Sequence, residues 1–205
     1  NKVDRQWDVI NGNDVIVTFF DVHAGMCFDG PFNSFNQDVL RERINRYLDK
    51  IIDIQYRHGS ENAYVILSEL VSGIIHPTIR IENNQNLIEQ FVMIGDYASD
   101  FLRVLSERFN NVYVYVCPGN HSRLFQNKEQ ELRGENMDIL VMPYLRARLK
   151  DFYTVHIVDN VNDELVAEFE VRGHRVCALH GDKATMQDVT SKITRYLGYI
   201  PDIIY

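Results

Sequence analysis

Three β-branched and aromatic runs, separated by long stretches with helical periodicity, constrain the fold of this 205-residue chain most. Residues 14–20, 63–67 and 112–117 have the composition of buried strands. Between them, apolar residues recur at helical spacing over about residues 36–56 and 84–108. Parallel strands joined by crossovers of this length form right-handed βαβ units. The pattern therefore predicts a largely parallel sheet covered by helices.

The second half of the chain is built from shorter predicted elements. Residues 122–136 are charged and predict a surface loop, and a helix over 137–150 is expected to be kinked or split at Pro143. Further strands and a helix are predicted over 152–158, 165–171, 174–179, 185–197 (the helix) and 202–205. The strands at 165–171 and 174–179 should pair as a hairpin. Because no repeat or linker interrupts this order, we expect one α/β domain over residues 1–205.

Composition and cysteine usage favour a cytoplasmic protein. With 45% hydrophobic residues the chain can bury a full core, and no apolar run approaches the roughly 18 residues of a membrane span. The start, Asn1-Lys2-Val3-Asp4, lacks the features of a signal peptide. The three cysteines are widely spaced and odd in number. We therefore expect free thiols in a reducing cytoplasm.

Polar side chains follow four of the predicted strands at the point where each strand ends. They are Asp21 and His23 after the first strand, Glu69 after the second, Asn120 and His121 after the third, and His180 after the hairpin. Strand ends in α/β sheets gather functional loops at one edge, and carboxylate, imidazole and amide groups suit divalent transition metals. Taken singly, each motif also reads as an ordinary polar turn. Their order and number predict a two-metal site.

These residues resemble, in order, the signature of the calcineurin-like metallophosphoesterases. The family's Asp-x-His, Gly-Asp, Gly-Asn-His and His correspond to Asp21-Val22-His23, Ser68-Glu69, Gly119-Asn120-His121 and His180. The resemblance implies a four-layer α/β/β/α sandwich with mixed sheets and two divalent metal ions. Manganese is the ion most expected, with zinc or iron as alternatives.

The resemblance also implies a role for each residue. Asp21 and His23 would bind the first metal, Asn120 and His180 would bind the second, Glu69 would bridge both, and His121 would act on the phosphate or leaving group. Arg123 lies where many relatives carry an acidic residue, and its guanidinium would either contact a phosphate or be solvated. His76 is more simply explained as a loop histidine without a catalytic role.

Two departures from the family pattern bear on activity. Glu69 is one methylene longer than the family's aspartate, and Ser68 replaces a glycine in a tight turn. We therefore expect weaker or altered metal binding and reduced activity. The family's final Gly-His-x-His does not occur within the 205 residues, although the apolar run 202–205 resembles the strand that precedes it.

The function that the resemblance implies is metal-dependent phosphoester hydrolysis. The long segment 71–110 between the second and third motifs, and the absent acidic partner after His121, favour the phosphodiesterase and DNA-repair exonuclease branch. The net charge of −8 counts against a non-specific grip on DNA, but a homodimer, a partner subunit or two bound ions would change the local field. The alternative is a catalytically impaired relative that binds a nucleotide, a nucleic acid or a protein partner.

Overall fold

The computed structural model describes residues 12–130, 132, 134–182, 184–185 and 187–205. Its strands are β1 (Asn13–Phe19), β2 (Phe28–Asp29), β3 (Ser34–Phe35), β4 (Ser60–Leu67), β5 (Asn111–Val116), β6 (Val155–Ile157), β7 (Val166–Val171), β8 (His174–Leu179) and β9 (Ile203–Ile204). Its helices are α1 (Gln37–His58), α2 (Pro77–Glu82), α3 (Leu87–Ser106), α4 (Met137–Arg148) and α5 (Val189–Leu197). Trp7, which the sequence suggests is core, lies outside the described residues.

The main sheet is parallel throughout, as the sequence predicts. Its strand order is β1-β4-β5-β6, and each neighbouring pair is parallel. Strand β4 lies in the interior of this sheet, and Val65, Ile66 and Leu67 on it are almost fully buried. Strands covered on both faces read as continuous apolar runs, which explains why this part of the sequence is easily recognised.

Helices α1, α3 and α4 cover one face of the main sheet. Their inward residues join the strand residues in one large core cluster, which includes Leu40 of α1, Leu102 of α3 and Leu145 of α4. Local signals set the ends of these helices: the side chain of Asn86 accepts bonds at the start of α3, and Gly59 ends α1 with a φ of 63°. The predicted helix over 84–108 is correct in kind but begins three residues later than expected.

The second sheet consists of the β7-β8 hairpin with β9 parallel to β8. It contacts the opposite face of the main sheet in a smaller cluster, where Tyr115 of β5 stacks on Phe169 of β7 at 4.4 Å between ring centroids. The thiol of Cys117 also donates to the carbonyl of Ala178 at 3.2 Å. The fold is therefore mixed α/β, with a parallel sheet, helices and a second sheet.

Several predicted bounds are wrong in detail. The strand expected over 152–158 is reduced to β6, because only three residues pair with β5. The predicted surface loop 122–136 is buried at both ends, at Ser122 and Asn136, because Ser122 O accepts the N–H of Met137 and anchors the loop to α4. Among the described residues, no helix combines the length and apolarity required to cross a membrane. All three cysteines are free.

Candidate metal centre

The carboxyl ends of three adjacent parallel strands bring three of the predicted motifs together. Phe19 of β1 pairs with Leu67 of β4, and Leu67 pairs with Val116 of β5. Because these last paired residues are in register, the loops that follow them leave the sheet at the same edge. Glu69 lies in the middle loop, so its side chain can contact groups from both neighbouring loops.

Three of the predicted site residues adopt left-handed backbone conformations. Asp21, His23 and Glu69 have φ values of 52°, 48° and 50°, which non-glycine residues seldom adopt. The conformations are held by backbone bonds, since the N–H groups of Val22 and His23 both donate to the carbonyl of Glu69, at 2.9 and 3.1 Å. Strained backbone of this kind concentrates at functional sites. The carbonyl oxygen of Glu69 therefore joins the loop after β1 to the loop after β4.

The carboxylate of Glu69 lies between two predicted ligands. Its side chain is 1% exposed, and Oε1 accepts the backbone N–H of His121 at 2.9 Å. Oε1 is also 3.4 Å from Nε2 of His180, while Oε2 is 3.9 Å from Nδ1 of His23. Each carboxylate oxygen thus faces a different imidazole, which is the arrangement that a bridging ligand requires.

Gly119 makes room for this glutamate. A Cβ atom at position 119 would overlap the carboxylate of Glu69, so only glycine allows the two loops to approach this closely. Its φ is not positive, so the turn after β5 does not depend on glycine's conformational freedom. The residue with a positive φ in this turn is Glu69. Ser68, which stands where the family has glycine, is buried and does not adopt a positive φ, so its side chain causes no backbone strain.

The distances between donor atoms fit shared metal ions. Two ligand atoms that each lie about 2.1 Å from one ion can be at most about 4.2 Å apart. The separations of His23 Nε2 from Asp21 Oδ1 (3.9 Å), of His23 Nδ1 from Glu69 Oε2 (3.9 Å) and of His180 Nε2 from Glu69 Oε1 (3.4 Å) each meet this limit. Because His23 faces Asp21 and Glu69 with opposite ring nitrogens, one ion at His23 would share only one of these two carboxylates at the observed distances. Nδ1 of His23 is buried and lacks a hydrogen-bond partner among the described residues. A nitrogen that binds a metal ion through its lone pair would have this environment.

His121 belongs to the same cluster of donor atoms. One ligand atom from each of His23, Glu69 and His121 lies within 4.8 Å of the others, so these three could hold an ion after a small movement of their side chains. Nδ1 of His121 is 3.3 Å from the carbonyl of Ser72, which can only accept a hydrogen bond. The N–H is therefore at Nδ1, and the lone pair at Nε2 is open to a metal ion or a proton.

Asn120 and His76 meet beside His121. Nδ2 of Asn120 is 3.4 Å from Nε2 of His76, and the rings of His76 and His121 are 4.4 Å apart between centroids. The sequence favoured a loop histidine without a role at position 76, but the fold places it against two predicted site residues. The local sequence indicated only that a helix begins after His76, because Pro77 suits the first position of α2.

Arg123 is buried, which rules out the solvated alternative for this residue. It is 5% exposed, and its Nε donates to the carbonyl of Asn120 at 3.0 Å. Its Nη1 is buried without a hydrogen-bond partner in the part of the chain that the structure describes. The guanidinium therefore supports the loop that carries Asn120 and keeps unused donor capacity.

Asp138, which the sequence analysis did not single out, ties the two central loops together. This fully buried carboxylate accepts the backbone N–H groups of Glu69 (3.1 Å) and Gly119 (2.9 Å) at Oδ2, and that of Leu70 (3.0 Å) at Oδ1. Asp138 lies in the first turn of α4, behind the N-cap Asn136. It fixes the spacing between the loop of Glu69 and the loop of Asn120.

Burial and neighbouring charges shift the pKa values at the site. Desolvation raises the pKa of Glu69 to about 7 and lowers the pKa of His121 to about 4. Burial also lowers the pKa of His23, whereas the carboxylate of Asp182, 3.9 Å from Nδ1, raises the pKa of His180. Without a cation the buried carboxylate is thus costly to ionise, and a divalent ion would reverse that.

Comparisons with known proteins show a distant similarity to a protein without an assigned function. No protein-family model matches the chain, and no solved structure matches it at a significant level. The chain is 22% identical over 194 residues to a protein of Bacillus subtilis (strain 168) named "SPbeta prophage-derived uncharacterized protein YonJ". The match covers 90% of this chain and 47% of that protein. The chain therefore spans about half the length of the curated relative that it matches.

Proposed function

We propose that this protein is a metal-dependent phosphoester hydrolase, a phosphodiesterase or DNA exonuclease with a dinuclear metal centre. The observation that carries the proposal is the position of the Glu69 carboxylate, with one oxygen facing His23 and the other facing His180. In this arrangement His23 would hold one divalent ion, either with Glu69 through Nδ1 or with Asp21 through Nε2. His180 and Asn120 would hold the second, with manganese as the expected metal.

The layers of the fold support the same proposal. Helices α1, α3 and α4 pack on the outer face of the main sheet, and the second sheet packs on its other face. Ile193 of α5 is buried and lines a cavity with Val166 of β7 and Leu179 of β8. A helix thus covers the second sheet as well, which is the order of layers expected of a metallophosphoesterase sandwich.

The chain's own groups have complementary tasks in hydrolysis. The bound ions would supply an activated water and positive charge for the phosphate. His121 is neutral at pH 7, because burial lowers its pKa to about 4, and its Nε2 lone pair can accept a hydrogen bond from a water or a leaving group. The buried guanidinium of Arg123, with Nη1 unpaired in the described structure, supports the predicted contact with a phosphate oxygen.

A binding role without catalysis is the second candidate. The properties of Glu69 favour this role. Burial raises the pKa of Glu69 to about 7, so protons compete with metal ions for its carboxylate at neutral pH. Such a protein would hold a nucleotide, a nucleic acid or a protein partner at the same edge of the sheet. A homodimer or partner subunit and a cytoplasmic location, the latter supported by three free cysteines, remain part of the proposal.

Metal analysis and turnover of the Glu69→Gln variant test the function. The full-length protein, loaded with manganese and assayed on bis-p-nitrophenyl phosphate and linear DNA, should hydrolyse at least one of them and carry two ions per chain. Glu69→Gln should lose both activity and metal, because an amide bridges poorly. The matched control is Glu42→Gln, on the exposed face of α1. Absence of turnover of either substrate, with or without bound ions, would indicate the binding role, and absence of metal from the wild type would refute the hydrolase.

A further inference from the structure

A cavity of about 200 Å³ opens beside the candidate metal centre. Its walls include His180, one of the expected ligands of the second ion, and Pro118, two residues before Asn120. One end of the cavity is therefore next to the place where a phosphate would bind at the metal centre. A group attached to that phosphate on the His180 side would enter it.

The walls of the cavity suit a flat apolar group. Leu165, Val166, Leu179 and Ile193 contribute aliphatic surface, and the ring of Tyr196, 48% exposed, lies along the same wall. Aliphatic walls with one tyrosine ring bind planar aromatic groups, because the ring stacks while the aliphatic surface excludes water.

The charges around the cavity limit the number of phosphates that it can hold. Among the lining residues that the structure describes, the lysine is Lys192, and its ammonium group is 2.8 Å from the carboxylate of Asp188. Asp163 and Asp182 also line the cavity and would repel a second phosphate. Together with the net charge of −8, this favours one phosphate and its substituent over a long stretch of polyanion.

We propose that this cavity, the base pocket, holds the nucleobase of a phosphoester whose phosphate is bound at the metal centre. The inference rests on the proposed function and narrows its substrate class to nucleotide esters, either free or at the end of a nucleic-acid strand. The base supplies the planar apolar surface that the walls require, and its polar edge can contact the charged groups at Asp182 and Lys192.

Calorimetric binding to the full-length, manganese-loaded protein tests the pocket without requiring turnover. The probes are inorganic phosphate, 2-deoxyribose 5-phosphate and thymidine 5′-monophosphate, which differ in the sugar and the base. We expect the thymidine compound to bind about tenfold more tightly than the sugar phosphate, the range of stacking on one aromatic residue. In Ala184→Phe, which fills the pocket, this gain should disappear while the affinity for the sugar phosphate stays unchanged.

Two further variants keep the result interpretable. Ser191→Phe adds the same ring at an exposed position on α5 and should behave as the wild type. Tyr196→Ala removes a wall and should reduce the gain severalfold even if Ala184→Phe does not fold. Phosphate binding with no gain from the base, or a gain that survives both pocket variants, overturns the base pocket alone. Failure of all three probes to bind overturns the proposed function as well.

A short single-stranded oligonucleotide with a 5′-phosphate distinguishes the two sources of the base. If its affinity falls in Ala184→Phe as that of thymidine 5′-monophosphate does, the pocket accepts the end of a strand. A fall confined to the mononucleotide assigns the pocket to free nucleotide esters. Either result supports a base in the pocket.

Discussion

Replacing Asp138 with asparagine tests the assertion that one buried carboxylate sets the geometry of the metal centre. The two side chains have the same shape, but asparagine offers one acceptor oxygen where aspartate offers two. Asp138 receives three N–H groups, two at Oδ2 and one at Oδ1. The amide oxygen can keep the bonds from Glu69 and Gly119. Its NH₂ group then faces the N–H of Leu70, and both donors lack an acceptor.

The expected loss of stability follows from these bonds. An unsatisfied buried N–H costs about 1–3 kcal/mol, and the two remaining bonds weaken by about 1 kcal/mol each when the acceptor is neutral. Removing a buried charge, whose pKa burial raises, offsets part of this loss. We expect a net decrease of about 2 kcal/mol in the free energy of unfolding. For a chain of this size that is about 1 M in the urea midpoint.

The assay combines urea unfolding, followed by circular dichroism, with a manganese titration. Because the loops of Glu69 and Asn120 lose their common anchor, manganese affinity should fall about tenfold or more, as it does when groups that orient metal ligands are lost. Asp38→Asn is the matched control, since Asp38 has the same position in α1, behind the N-cap Asn36, but is 86% exposed. It should cost less than about 0.5 kcal/mol. An Asp138→Asn protein that unfolds and binds manganese as the wild type does would refute the reasoning.

Three further predictions concern the same loops. Gly119→Ala should cost about 1–3 kcal/mol of stability and most manganese binding, because its Cβ overlaps the Glu69 carboxylate, whereas Gly30→Ala, with only a 3.4 Å contact, should be neutral in thermal unfolding and metal titration. In the metal-free protein the contribution of Glu69 to stability, taken as the difference between the wild type and Glu69→Gln, should fall by about 3 kcal/mol as pH rises from 4.5 to above 7, since the pKa of Glu69 is raised from 4.5 to about 7 and the unfolded state ionises first. The lowered pKa of His121 acts in the opposite direction in both proteins and cancels in this difference, so urea unfolding of both in chelator should show the fall, and a difference that rises with pH would contradict it. His121→Ala should lower hydrolysis about hundredfold while two manganese ions remain bound, and loss of one ion would make His121 a ligand instead.

The elements that the sequence predicts well are those whose signal is local. β4 and β8 read directly as apolar runs, and β8 has the bounds expected of it. The strand-end motifs were found because parallel strands bring their carboxyl ends to one edge, so chain order alone indicates proximity. Asp21, His23 and Glu69 are therefore brought together by pattern and topology, whereas His180 follows β8 of the second sheet and reaches Glu69 only because the two sheets pack against each other.

The parts of the site that the sequence does not reveal depend on contacts between distant segments. In the sequence Asp138 is an ordinary acidic residue in the first turn of a helix. Only the fold shows that it accepts hydrogen bonds from the distant N–H groups of Glu69 and Leu70. His76 lies in a loop whose path cannot be read from periodicity, so its contact with His121 is equally hidden. The length of Glu69 predicted a misfit, but the sequence does not show that Gly119 leaves space for the extra methylene.

Unfavourable backbone conformations are concentrated in the loops that meet at the carbonyl oxygen of Glu69. The stability of the fold does not require them. Asp21, His23 and Glu69 each adopt a left-handed conformation, at a cost of about 1–2 kcal/mol per residue. The same loops contain a buried carboxyl with a raised pKa and a buried imidazole nitrogen without a hydrogen-bond partner among the described residues. These unfavourable features meet beside a core in which residues such as Ile66 and Leu102 are fully buried. A divalent ion at the loops would neutralise the carboxylate and engage the imidazole. These features therefore support the metal binding proposed above.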